Sequence, residues 1–213
     1  MNKSLINLIK VLVAVIAILC ALVALRAAWK LFDPRYLQHD FYLPILICLA
    51  IGLVIGSRRS IRGFYRTLEH ELTHVIFGVL CFRSPKHMLV TSERGGEAGF
   101  NGSVNWLISL CPYFFPLTAV VIALLSLITM SSIHIWMGRL IIIALGYHLA
   151  VIFSEIRIGQ SDLQRHNSAF SGCFIAGIGI PLFALLMTYA AWDASGVRLW
   201  LHACRDTLRL VGI

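Results

Sequence analysis

Within Leu68-Glu-His-Glu-Leu-Thr-His-Val-Ile-Phe-Gly78, two histidines stand four residues apart with a glutamate directly after the first: His70-Glu71-Leu72-Thr73-His74. On an α-helix, residues i and i+4 share a face, so both imidazoles can point at one tetrahedral Zn²⁺. The adjacent Glu71 then reaches a water on that ion. Zinc lowers the water's pKa toward neutrality, and the carboxylate takes its proton and passes it to a leaving group. His70 and His74 are therefore candidate metal ligands, and Glu71 is a candidate general base. The pattern alone arises by chance in roughly one sequence in a hundred of this composition, so its surroundings decide its weight. Charged and imidazole side chains in an apolar helix are costly and tend to be functional. Here three of them fall within five residues of the stretch Phe64 to Phe82, which is otherwise apolar apart from Arg66 and Glu69. The plainer alternative is an interfacial helix end whose His and Glu face headgroup water.

The elements that must position these residues belong to a membrane. The chain has 213 residues, 59% of them hydrophobic and 13% charged, with a mean hydropathy of +0.83. That is far outside soluble globular usage. Apolar stretches on the scale of a bilayer crossing, about 20 residues of helix, occur at Leu5 to Leu25, Phe41 to Gly56, Trp106 to Met130, Ile133 to Phe153 and Ala169 to Trp192. With the motif-bearing Phe64 to Phe82 they predict an all-α polytopic membrane protein of about six transmembrane helices, one membrane domain over residues 1–213. The first stretch follows Lys3 and Lys10 but is longer than a signal's apolar region, so it reads as a retained helix. The formal charge of +8 fits positive residues flanking membrane helices, with the lipid bilayer rather than nucleic acid as partner. Its densest cluster, Arg58, Arg59, Arg62 and Arg66, is expected at the cytoplasmic interface.

Two shorter features complete the plan. His87 to Thr91 has strand-forming character, Ser92 to Gly99 carries turn chemistry, and Phe100 to Val104 is expected to return as a second strand. This predicts a β-hairpin within residues 83–104, directly after the motif helix. Such a hairpin cannot lie bare against lipid, because its edge amides would go unpaired. Near the C-terminus, Arg198, His202, Arg205 and Arg209 share a helical face opposite Leu199, Trp200, Ala203 and Leu210. That pattern predicts an amphipathic helix over about 194–211, anchored on an anionic leaflet. Pro112 and Pro116 are expected to bend their helix. Cys20, Cys48, Cys111 and Cys173 lie in apolar runs and Cys81 at the end of one, where cysteine acts as a small hydrophobe; no paired spacing suggests disulfides or a cysteine metal site.

In these features the chain resembles the site-2 protease family of intramembrane zinc metallopeptidases, particularly its small bacterial members. The resemblance rests on the helix Glu69 to Gly78, the glycine-bearing hairpin Glu93 to Gly99, the helix start Asn105 to Pro116, and Gly159-Gln-Ser-Asp162. Together these cover about half the chain; the first is the specific motif, and the others agree in order and spacing. The resemblance implies hydrolysis of a peptide bond in a membrane-anchored protein substrate, by zinc-activated water with Glu71 as general base, in a bacterial inner membrane. In that family the hairpin edge receives the substrate as an added strand, which implies substrate-binding roles for Gly95 and Gly96. Asn105 either bonds substrate backbone or caps its helix.

The family's usual third-ligand motif, an Asp-Gly preceded by an Asn-Pro run, is absent. Asp162 is the best substitute, because few other carboxylates follow the motif near membrane depth; His148 and Glu155 are rivals, the three being spaced by seven. If Arg66 marks an interface, His70 lies about 6 Å and His74 about 12 Å inside it. Asp162 must then dip inward by roughly 10 Å on a re-entrant loop, whereas His148 is already embedded. Two other function classes compete. One is a catalytically silent membrane protein of the same fold acting as a binding or scaffold partner, against which the intact His70, Glu71 and His74 weigh. The other is a di-iron desaturase or hydroxylase, which needs clustered histidine boxes that His39, His87, His134, His166 and His202 do not form.

Overall fold

In hydrocarbon each chain segment must satisfy its own backbone, and helices do so. All six apolar stretches are accordingly helical in the computed structural model, which describes residues 3–32, 39–58, 63–91, 95–158, 161–164, 168–210 and 212. Arg59, Arg62, Glu93, Gly159 and His166, singled out above, lie outside the described residues. The elements are α1 (Lys3–Leu31), α2 (His39–Ser57), α3 (Phe64–Leu80), β1 (Pro85–Thr91), β2 (Gly95–Phe100), α4 (Trp106–Phe114), α5 (Leu117–Ser126), α6 (His134–Ile158), α7 (Ser161–Gln164) and α8 (Ser168–Leu210).

Among the described residues, three helices are long and apolar enough to cross a membrane: α1 from Leu5, α6 with the turn before it, and α8. The α4–α5 pair, bent by 71°, adds a fourth if it is one broken span. α2 is apolar but shorter, and α3 has 17 residues that include Arg66, Glu69, His70, Glu71 and His74. The chain is thus a mostly helical membrane protein with a small antiparallel hairpin. Length and composition support three or four spans against the six expected. The bend between α4 and α5 follows from Pro116, whose ring pushes Phe115 into extended backbone (φ −108°, ψ 102°) and breaks the helix there.

Packing uses small residues, as expected where lipid tails are as apolar as the core. α1 buries Ala17, Ala21, Ala24 and Ala27 while Leu8, Val11, Leu12 and Leu22 point outward. A Cβ on Gly177 of α8 would collide with Ala17, so α1 and α8 meet at backbone distance. α2 meets α6 in the same way, Gly52 lying on the Ile143 carbonyl and Gly146 on that of Leu49. Around α4, Leu110, Cys111 and Phe114 pack on Phe170 and Phe174 of α8, with Phe77 of α3 edge-on to Phe114.

Two expectations change in detail. The returning strand is Gly95–Phe100 rather than Phe100 to Val104; β1 and β2 pair antiparallel, with Thr91 opposite Gly95 and Met88 opposite Ala98. Two of its glycines, Gly96 and Gly99, serve close approach, while Gly95 at the turn takes positive φ. The C-terminal amphipathic helix exists, separated from the rest of α8 by a break at Trp192 and Asp193, where Asp193 takes φ 55°. It is folded back, however: Trp200, Ala203 and Cys204 pack on Ala24, Ala27, Ile180 and Ala184. Its buried stripe is Gly196, Trp200 and Thr207, while Leu199 and Leu210 stay exposed.

Candidate metal centre

His70 and His74 lie one turn apart on α3, their rings edge to face with centroids 4.9 Å apart. Asp162 comes from the first turn of α7. Its Oδ2 is 3.6 Å from His70 Nε2 and 3.4 Å from His74 Nε2, and one ligand atom from each of the three residues lies within 4.8 Å of the others. A tetrahedral ion with bonds of about 2.0–2.1 Å holds its donor atoms about 3.3 Å apart. Asp162 Oδ2 thus already stands at about that spacing from both imidazole nitrogens. Two imidazole nitrogens and one carboxylate oxygen suit zinc and neighbouring first-row ions better than calcium or magnesium, which prefer oxygen throughout. Charge points the same way: Glu69, Glu71, Glu155 and Asp162 gather around the imidazoles with Arg66, an excess of carboxylate that a divalent cation would offset.

The opposite nitrogens are held too. His74 Nδ1 is 2.7 Å from the Ile108 carbonyl oxygen. A carbonyl can only accept, so Nδ1 carries a hydrogen, and in the neutral ring Nε2 is the nitrogen left to bind a metal on the Asp162 side. That carbonyl is available because Pro112, four residues on in α4, has no N–H to give it. Pro112 thus frees an acceptor for His74 as well as interrupting its helix. His70 Nδ1 faces Glu155 Oε2 at 3.4 Å, and Arg66 Nε donates to Glu155 Oε1 at 2.9 Å.

Glu71 is buried on α3 beneath β2, and the Ala98 amide donates to its carboxylate. Gly96 sits directly above it: a Cβ there would lie 2.5 Å from Glu71 Cγ and 2.6 Å from Thr67 Cγ2. Glycine is required so that the strand can rest on the helix. Gly95 has φ +82° with open space around it.

Asn105 is the N-cap of α4, its side chain accepting from the Ile108 amide at 2.9 Å, which is the plainer of its two expected roles. His148 is buried on α6 beside a small cavity that it shares with Thr73, His70 and Glu155; its Nε2 has no hydrogen-bond partner among the described residues. It is not among the converging ligand atoms. Neither is Glu155, which stands on the Nδ1 side of His70. The depth objection to Asp162 also falls away. Arg66 and His70 pair with Glu155 in the last turns of α6, so the start of α3 is level with the end of α6, just before α7.

The sequence reading placed Arg66 in a charged interface cluster and missed its partnership with Glu155. The spacing did hold a signal: Arg66, His70 and His74 recur every four residues along one face of α3. Also missed was Glu69, whose Oε1 accepts from both the amide (2.9 Å) and the hydroxyl (2.6 Å) of Thr118, tying the start of α5 to α3. No family model matches the chain, and no curated protein or solved structure is significantly similar to it.

Proposed function

We propose that this chain is an intramembrane zinc metalloprotease of the site-2 protease type, hydrolysing a peptide bond in a membrane-anchored protein substrate. The reading is carried by the convergence of His70 Nε2, His74 Nε2 and Asp162 Oδ2, with Glu71 on the same helix. Zinc held by these three residues would supply Lewis acidity, acidifying water and polarising a carbonyl. Glu71 accepts the proton of the attacking water at its carboxylate and delivers it to the leaving amine. The Ala98 amide keeps that carboxylate in place while it does so. The free edge of β2 offers main-chain groups to an extended substrate segment, which would bring its scissile carbonyl over α3. That edge is Gly95–Phe100, shorter than the sequence suggested.

In this reading α2 and α3 also enter the bilayer, giving six membrane helices in a bacterial inner membrane. The test is zinc content and cleavage together. Purified protein should carry one zinc and cut a membrane-anchored test peptide, and His70→Ala should lose both. Equal zinc in the two proteins would remove the reading.

A further inference from the structure

Hydrolysis as proposed leaves two charged side chains without a role. Glu155 is 2% exposed on α6, and its partner Arg66 is 15% exposed at the side chain on α3. A buried carboxylate is expensive unless its oxygens are satisfied. Arg66 takes Oε1 at 2.9 Å, and Oε2 is turned to His70 Nδ1 at 3.4 Å.

We propose that Glu155 is a positioning residue for the metal centre: it holds the Nδ1 hydrogen of His70 and so presents Nε2 of that ring as a lone pair toward Asp162. This rests on His70, His74 and Asp162 being metal ligands. A neutral imidazole carries one N–H, and a carboxylate can only accept it. Carboxylates face both nitrogens of His70, Glu155 at Nδ1 (3.4 Å) and Asp162 at Nε2 (3.6 Å), so it is an ion taking the Nε2 lone pair that leaves the single hydrogen on Nδ1 for Glu155 to hold. Arg66, always charged and fixed in a planar fork, keeps the carboxylate from swinging away. The two ligand rings thus have different anchors, a main-chain carbonyl of α4 for His74 and a side chain of α6 for His70. Outer partners of this kind typically change metal affinity by ten- to a hundredfold.

The experiment uses the full chain in detergent, with ¹⁵N-labelled histidine, in wild type, Glu155→Leu and Glu155→Gln. The metal-free proteins, each also carrying Asp162→Ala so that no carboxylate faces Nε2, are read by imidazole nitrogen shifts, which separate the two tautomers. Zinc affinity is then measured, with Asp162 intact, by competition with a chelator. With Glu155 present, His70 and His74 should both carry hydrogen on Nδ1. Glu155→Leu should mix the tautomers of His70 alone, His74 serving as control on its own carbonyl, and weaken zinc ten- to a hundredfold. Glu155→Gln keeps the volume and an acceptor oxygen but not the charge; it should keep the tautomer and lose less affinity, and it decides the matter if the leucine variant does not fold. Hydrogen on Nε2 of His70 with Glu155 present and Asp162 replaced, or an unchanged tautomer and affinity in Glu155→Leu, overturns the proposal. Wild type that takes no zinc defeats the ligand reading instead, and the tautomer comparison still decides the part played by Glu155.

Discussion

Gly96→Ala tests how closely β2 is set on α3, the helix that carries the proposed base Glu71. The added Cβ would stand 2.5 Å from Glu71 Cγ, 2.6 Å from Thr67 Cγ2 and 2.8 Å from Glu71 Oε1. Carbon atoms in contact settle at about 3.5–4.0 Å, so about 1 Å must be opened. Neither neighbour yields easily: Thr67 donates to the Gly63 carbonyl at 3.0 Å, and Glu71 is held by the Ala98 amide. Either the strand lifts or Glu71 swings, and both shift the base relative to the substrate edge. A misplacement of about 1 Å costs about a hundredfold in rate, or about 2.7 kcal/mol of barrier. Gly95→Ala is the control. That site has open space but φ +82°, so it strains the strand by about 1–2 kcal/mol without touching Glu71. The measurement is kcat/KM on a membrane-anchored test peptide, beside zinc content. Gly96→Ala should keep its zinc and fall about a hundredfold, and Gly95→Ala should stay near wild type. A Gly96→Ala protein as fast as wild type would refute the placement of the strand on the base.

Glu71→Gln should retain zinc while losing about 10²–10⁴ in turnover, since an amide cannot accept the water's proton; loss of metal in that variant would make Glu71 a ligand or a fold residue. Under a mild chelator Asp162→Ala should lose its zinc and His148→Ala should largely keep it, and the reverse would move the third ligand onto α6. Pro112→Ala returns an N–H to α4 that competes with His74 for the Ile108 carbonyl, so it should weaken zinc binding even as it favours a continuous helix. Unchanged affinity there would show that the carbonyl does not set His74.

The motif helix could be read from sequence because every requirement of it is local: two imidazoles four apart, a glutamate between, an apolar frame. The division of α8 was equally legible, the change from apolar run to amphipathic pattern falling where Trp192 and Asp193 leave helical geometry. That the second half folds back was not, because its buried stripe depends on Ala24 and Ala27, far away in α1. The hairpin's second strand was misplaced because glycine was taken for a turn former. Gly96 is instead where a side chain would strike Glu71, and Gly99 is where one would strike the His87 ring. The depth estimate that set His148 against Asp162 assumed that Arg66 marks a wetted interface. Pairing with Glu155, 89 residues away, lets it sit inside the protein, and no local pattern announces such a partner.

The two anchoring contacts have a mechanical meaning. Histidines four apart on one helix look self-sufficient, a grip that travels with α3 wherever it drifts. Here each ring is steadied from outside, one by the backbone of α4 and the other by a carboxylate on α6. Sliding either helix by a fraction of a hydrogen-bond length releases its imidazole to spin, and the grip opens. Ion occupancy is then a gauge of assembly: a chain whose α4 or α6 is out of register still spells the motif but cannot close on a cation. On the reading proposed here, metal binding reports that α3, α4 and α6 have docked together.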